Sequence, residues 1–271
     1  MLLYNFYKLG DISLIARKTN KHNQNNKKWI LNLIAMVIWL FIWHFAAIAI
    51  NMEIFLPTPQ RVFTVLVQDL IPSNDFWLSL WSAITDICFG FTLGCVLGIL
   101  LAVIASLRQY IEIFLLIPIK VLKSIPVASF VILVLLWLDA KDLAIFVPAI
   151  VVLPMLYINT LTGIKETSGK LMEMATIFRI SFIKRITHIY MPSVIPYILS
   201  ACSVATGMAW KSGIAAEIIG LAKNSIGNEL YKTKIYLMIP ELFAWSIVIV
   251  LLRVLLETVV KTLIKLISKG R

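Results

Sequence analysis

The sequence predicts an all-α, polytopic membrane protein with six spanning helices. Three observations lead there: an apolar excess, a clustering of charge, and six long apolar runs. Over 271 residues the hydrophobic fraction is 60% and the charged fraction 14%, which is more apolar side chain than a water-soluble domain of this length buries in one core. The charges gather into short stretches between apolar runs instead of spreading along the chain as on a soluble surface. A spanning helix needs about 20 apolar residues, because the hydrocarbon layer is roughly 30 Å thick and each residue rises about 1.5 Å. Residues 29–50, 83–107, 111–138, 143–164, 193–219 and 242–263 meet that requirement.

The first run follows Lys8, Arg17, Lys18, Lys21, Lys27 and Lys28. By the positive-inside rule this basic segment, residues 1–28, is cytoplasmic, and the chain belongs in the plasma (inner) membrane. The segment lacks the apolar middle of a signal peptide, so no cleavage is expected. Six crossings return the C-terminus to the cytoplasm, consistent with Lys261, Lys265, Lys269 and Arg271 in the tail. The connection at 165–192, also placed inside, holds Lys165, Lys170, Arg179, Lys184 and Arg185. The outer connections hold fewer basic residues: Arg61 in the first, Lys141 in the second, and Lys223, Lys232 and Lys234 in the third. The formal charge of +11 is therefore topological. No basic patch interleaved with aromatic residues suggests nucleic acid as a partner; lipid is the expected surroundings. Residues 29–271 read as one membrane domain.

The third run is too long for an untilted span and carries Pro118, Lys120, Lys123 and Pro126. A break is expected around Ser124-Ile125-Pro126, and within lipid such a break is tolerated where protein or a water-filled cavity satisfies the freed backbone groups. Ser124 and Pro126 are thus candidate path residues, with a plain proline kink as the alternative. The outer loop 51–82 opens with Leu56-Pro57-Thr58-Pro59 and continues into an amphipathic stretch, 62–70, suited to the membrane surface. The inner loop 165–192 is longer than a tight turn and helix-forming.

Enzyme chemistry has no foothold. The Gly-x4-Gly-Lys-Ser/Thr phosphate loop is absent: Gly163 and Gly169-Lys170 are one residue too far apart, and Leu171 stands where the hydroxyl belongs. ATP must be handled by another chain. There is no metal-ligand spacing, nucleophile elbow or paired-carboxylate arrangement, and no cofactor is expected. Cys88, Cys95 and Cys202 lie inside apolar runs and read as small packing residues.

Charged groups within spans are costly and point to function by default. Outside the broken third run and the basic C-terminal end, they are Asp86, Lys211, Glu217, Arg253 and Glu257. Arg253 and Glu257, four apart, read as an ion pair on one helix face. Lys211 and Glu217 interrupt a small, apolar fifth span. Nineteen residues from Pro192 to Lys211 give about 28 Å of helix, so Lys211 lies near the outer boundary and either snorkels to the headgroups or meets an anionic substrate. Asn159, Thr160 and Thr162 on the fourth span, with Ser203 and Thr206 on the fifth, line the route or hydrogen-bond between helices.

The inner loop reads Glu173-Met174-Ala175, has nine residues between Arg179 and Ile189, and closes with Met191-Pro192. It resembles the Glu-Ala-Ala-x3-Gly-x9-Ile-x-Leu-Pro cytoplasmic loop of ATP-binding-cassette (ABC) importer permeases, aligned without a gap. Met174 departs from an alanine, Met191 from a leucine, and Arg179 from the glycine that permits the bend between two short helices. An arginine does not take φ above zero cheaply, so an altered bend or an added partner contact is expected. Similarity to the nitrate/sulfonate/taurine branch extends over roughly residues 55–260, through Leu56-Pro57-Thr58-Pro59, Gly90-Phe91-Thr92-Leu93-Gly94, Lys123-Ser124-Ile125-Pro126, Asn159-Thr160, and Ala215-Ala216-Glu217 followed by Gly220.

The resemblance implies a type I importer permease of MetI-like fold. It implies a homodimer joined by two ABC ATPase subunits and fed by an extracytoplasmic substrate-binding protein. It places ATPase coupling at Leu171, Glu173, Met174, Ala175, Arg179, Ile189 and Pro192, on a helix around 171–178. The implied cargo is a small anion such as nitrate, a sulfonate, taurine or bicarbonate; similar permeases carry pyrimidine vitamin precursors or riboflavin. A secondary transporter or channel acting alone would show inverted repeats and paired mid-membrane charges, neither visible here, and a non-transporting scaffold has no use for the loop.

Overall fold

A computed structural model of the chain describes residues 30–269, so the basic N-terminal segment, Trp29 and Arg271 lie outside the described residues. The described residues form helices α1 to α11 and no strand. The chain divides into two compact units, residues 1–63 and 64–271. In the first, helix α1 (Ile30–Ile50) is an apolar rod with Trp39, Phe41 and Phe45 exposed, as suits a lipid-facing helix. Trp43 Nε1 donates to the Pro57 carbonyl at 3.1 Å, tying the end of the Leu-Pro-Thr-Pro segment back to this helix. Helix α2 (Pro59–Val65) begins with Pro59, a favoured first helical residue because it lacks the N–H that would go unbonded there.

The second unit is a helical bundle. A π-helical turn, Leu66–Leu70, leads to α3 (Asn74–Leu107), followed by α4 (Gln109–Ser124), α5 (Val127–Val134) and α6 (Ala140–Lys165). After the inner loop come α9 (Met191–Gly220), α10 (Ile226–Ile235) and α11 (Ile239–Lys269). By length and hydropathy four described helices can cross a membrane, and the pair α4 and α5, bent by 103°, has the geometry of a broken span or of a re-entrant loop. Helix α11, 31 residues long, occupies the sixth predicted position. The predicted break at Ser124-Ile125-Pro126 is where α4 stops and α5 starts, because Pro126 disfavours a helical conformation at Ile125 (φ −71°, ψ 128°). The second predicted span was too short: α3 starts at Asn74 and runs 34 residues, taking in the last part, 74–82, of what read as outer loop.

Small residues set the packing. Gly90, Gly94 and Gly98 face the carbonyls of Ile145, Ala149 and Leu153, so α3 and α6 run parallel with their backbones almost touching. At Gly94 an added Cβ would sit 2.5 Å from the Ala149 oxygen and 2.9 Å from Val152 Cβ; at Gly98 it would sit 2.6 Å from the Leu153 oxygen. Such close approach is the membrane form of tight packing, where van der Waals contact takes the place of a hydrophobic drive between helices. Helix α9 lies antiparallel to α6, with Gly163 against Tyr197, Gly213 against Pro148 and Gly220 against Leu143. Trp210, buried, donates from Nε1 to the Ile249 carbonyl at 3.1 Å and fixes α9 against α11. At the end of the bundle that carries the inner loop, Lys165 and Glu112 form a 2.5 Å ion pair between α6 and α4.

Two expectations are corrected. Glu257 pairs with Lys261 at 2.6 Å and not with Arg253. The order Glu then Lys at i,i+4 is the better one for a helix, and Arg253 turns instead toward α9 beside Gly207. Of the two readings for the polar residues of the fourth and fifth spans, hydrogen bonding between helices does not occur at four of them, which bond within their own helix: Asn159 to Met155 O, Thr162 to Ile158 O, Ser203 to Leu199 O and Thr206 to Cys202 O. Back-bonding to the i−4 carbonyl satisfies such a group without a neighbour.

Candidate coupling loop and transport path

The loop is built around one closed corner. Ser168 precedes α7 (Gly169–Ile177), and Phe178 ends it. Ile180 N–H donates to Ala175 O at 2.9 Å and Arg179 N–H to Thr176 O at 3.1 Å, the paired bonds of a Schellman stop. That stop requires a left-handed residue at Arg179, and Arg179 adopts it with φ 48°. The expected change of bend does not occur: arginine takes the conformation usually left to glycine. Left-handed geometry costs an L-residue about 1–2 kcal/mol, so Arg179→Gly is expected to stabilise the loop by about 1 kcal/mol and to leave transport intact. Protease resistance of the loop, beside uptake, checks this.

Arg185, on α8 (Phe182–Arg185), completes the corner with Nε to Ile180 O at 3.0 Å and Nη2 to Ala175 O at 3.1 Å. Ala175 is 0% exposed, so among the predicted coupling residues it supports the loop from within. Leu171, Glu173, Met174, Arg179 and Pro192 are exposed, and Ile189 is half-buried. Arg185 had no predicted role beyond charge; its place ten residues after Ala175 carries no sequence signature. A π-helical turn, Ile186–Tyr190, then joins α8 to α9 without a break, so the loop is mechanically continuous with a spanning helix. The loop's outer surface is apolar. Ile177, Phe178, Phe182 and Ile183 are 71–78% exposed, around the corner that Ala175 closes.

The predicted path residues are dispersed. Ser124 and Pro126 are exposed at the α4–α5 break, and Ser124 Oγ donates to Lys120 O at 2.8 Å. Thr160 is buried on α6 with its hydroxyl unpartnered among the described residues, and Asn159 is half-buried beside it. On α9, Ser203 is half-buried, Thr206 buried and Lys211 exposed. Asp86, on α3, accepts from Ser82 Oγ at 3.1 Å.

Glu217 has a structural engagement that the sequence reading missed. It is 1% exposed, and its Oε2 accepts from Gly227 N–H at 3.0 Å, in the first turn of α10. Ser225 Oγ accepts from Asn228 N–H at 3.1 Å as the cap of that helix. A carboxylate suits a helix N-terminus, where unpaired N–H groups concentrate positive partial charge. Gly227 is required because a Cβ there would collide with the backbone between Glu217 and Ile218. Glu217→Ala is expected to free α10 at a cost of about 1–3 kcal/mol, read as faster proteolysis between α9 and α11 with the spans intact.

Long apolar helices in this order, joined by a protruding helical loop, match a known family. The family described as "Binding-protein-dependent transport system inner membrane component" matches residues 94–271. The chain belongs to this family. It is a multi-pass membrane permease, the membrane subunit of an ABC importer that works with ATPase subunits and a substrate-binding protein. The permease is similar to a "Putative aliphatic sulfonates transport permease protein SsuC" of Bacillus subtilis (strain 168), 24% identical over 245 residues, covering 90% of this chain and 88% of that one. It is also similar to a "Nitrate import permease protein NrtB" of Synechococcus elongatus, 25% identical over 76% of this chain and 77% of the relative. Among solved structures, a bacterial ABC transporter involved in import of the acidic polysaccharide alginate shares the permease's fold. Its TM-score is 0.57 at 18% identity, covering 90% of this chain and 97% of that one. The MetNI methionine ABC transporter, facing inward, gives a TM-score of 0.51 at 15% identity over 70% of this chain and 92% of that one.

Proposed function

We propose that the permease imports a small anion of the nitrate, sulfonate, taurine or bicarbonate class, driven by ATP hydrolysis on separate subunits and coupled through the loop 165–192. The observation that carries the coupling is the exposed apolar surface of Ile177, Phe178, Phe182 and Ile183 on a corner closed from within by Ala175 and Arg185. Apolar side chains held in water on a rigid helical protrusion favour insertion into a partner's groove. Glu173 and Leu171 lie on the exposed part of α7 and contribute at the rim of that contact.

Closure of an ATPase pair displaces the loop. Because it joins α6 directly to α9, the displacement passes into both helices. Two copies of the permease form the route between them, and substrate crosses by alternating access. The loop end is cytoplasmic in this reading, which puts both termini, including the basic segment 1–28, on that side. The chain itself is not an enzyme; its sequence contains no phosphate-cradling loop, so hydrolysis belongs to the partner.

The anion class is supported by the sulfonate and nitrate relatives and by "Bicarbonate transport system permease protein CmpB" of Synechococcus elongatus, 25% identical over 75% of this chain. The test is uptake into proteoliposomes holding the permease, its ATPase and its binding protein. Labelled nitrate, bicarbonate and taurine are the probes, with ATP or a non-hydrolysable analogue inside the ATPase-facing compartment. Uptake of one anion that requires hydrolysis is expected. Uptake driven by an ion gradient without ATP contradicts the coupling, and uptake of a pyrimidine or riboflavin in place of the anions contradicts the cargo.

A further inference from the structure

Arg253 of α11 lies against another spanning helix, α9. Its Nη2 lies 3.3 Å, and its Nε 3.6 Å, from the point a Cβ would occupy at Gly207 on α9. The Trp210 to Ile249 hydrogen bond one turn away holds the two helices in this register. The Nε is buried and has no hydrogen-bond partner among the described residues. Arg253 lies fourteen residues into α11, about 21 Å from its start, well within the span.

A guanidinium at such depth without a paired carboxylate is costly unless it faces water or an anion. The nearest carboxylate on its own helix, Glu257, forms its ion pair with Lys261 at 2.6 Å and interacts with Arg253 only as the weaker, more distant charge. Of the buried or half-buried carboxylates on the helices beside it, Glu217 accepts from Gly227 N–H through Oε2, its Oε1 having no hydrogen-bond partner among the described residues, and Asp86 accepts from Ser82 Oγ; neither pairs with Arg253.

Helix geometry adds a second cation. Ser203, Gly207 and Lys211 are spaced by four on α9 and therefore share one face. Lys211 is exposed one turn beyond Gly207, about 6 Å along the axis. Ser203 is half-buried one turn before it. Gly207 leaves room for the guanidinium beside it; a Cβ there would lie in tight contact, 3.3 Å from Nη2.

We propose that the seam between α9 and α11 where Arg253 lies against Gly207, with Lys211 one turn further along α9, is a binding step for a small anion on the transport route. This rests on the reading of the chain as an anion importer and assigns the residues that recognise the charge. Arg253 supplies a planar, permanently charged fork suited to nitrate, carboxylate or sulfonate oxygens, and Lys211 a mobile point charge at the outer approach.

The test uses the assembled transporter in membrane vesicles, with Cys88, Cys95 and Cys202 replaced by serine and Ser203→Cys introduced. The probes are two thiol reagents of similar size, a methanethiosulfonate bearing a sulfonate and one bearing a trimethylammonium group. The sulfonate reagent is expected to react about tenfold faster, since a cleft lined by one sign of charge concentrates the opposite ion. Arg253→Gln is expected to bring the two rates together, and Arg253→Lys to keep most of the preference. Equal rates with Arg253 present, a preference unchanged in Arg253→Gln, or no reaction with either reagent overturns the proposal. ATPase co-purification and hydrolysis-dependent uptake, measured on the same vesicles, report separately on the importer reading: loss of these with the charge preference intact contradicts coupling and not the seam.

Discussion

Gly94→Val is expected to abolish the folded permease. The new side chain starts 2.5 Å from the Ala149 carbonyl oxygen and 2.9 Å from Val152 Cβ, and the carbonyl is part of α6 backbone that cannot turn aside. Helices α3 and α6 must separate, and with them the flanking contacts at Gly90 and Gly98. Overpacking typically costs about 1–3 kcal/mol where side chains can yield; a clash with fixed backbone lies above that range and takes a large share of a total stability of about 5–15 kcal/mol. Membrane insertion itself depends on apolar length and should persist. Size-exclusion of the detergent-extracted variant, beside its abundance in the membrane, checks the prediction: aggregated or proteolysed protein is expected, and a monodisperse peak with normal uptake contradicts it.

The second large effect is expected at the loop surface. Ile177→Asp with Phe178→Asp removes apolar contact and introduces charges that a docked interface would have to desolvate. Loss of a central apolar anchor costs about 2 kcal/mol or more, so ATPase association and uptake should fall together while the bundle remains folded. Ala175→Asp should give the same transport loss by another route. Its carboxylate would replace a methyl group that is 0% exposed, and the Schellman corner with its Arg185 bonds would open. Proteolysis of the loop separates the two: the Ala175 variant is cleaved in isolation, and the Ile177/Phe178 variant is not.

How much of this was legible in the sequence depends on the range of the interactions concerned. The apolar runs are local, and they marked the long helices to within a few residues at α6 and α9; Pro126 marked the break of α4 from α5 for the same reason. The start of α3 escaped because Asn74, Asp75, Ser79 and Ser82 dilute its first turns, although Ser79 is buried there. The helical loop could be placed by its spacing, but its internal support could not. The bonds from Arg185 to Ala175 and from Glu217 to Gly227 each join residues ten apart, beyond any helical or strand period. Arg179 shows a steric preference overruled: two backbone hydrogen bonds and the Arg185 fork hold φ at 48° against the usual bias. Glu257 had oppositely charged neighbours at both i−4 and i+4, and only the structure shows which one it takes.

Coupling through the loop is tested most directly by the reactivity of one residue. Phe178→Cys, in a background lacking Cys88, Cys95 and Cys202, is exposed to a water-soluble maleimide in the permease alone and in the complex with its ATPase. At 71% exposure in the chain itself, residue 178 should label fully in the isolated permease. In the complex the account predicts strong protection, lifted when the ATPase is stripped away. Labelling at the same rate in both would contradict it, because a docking corner covered by the ATPase cannot stay open to water.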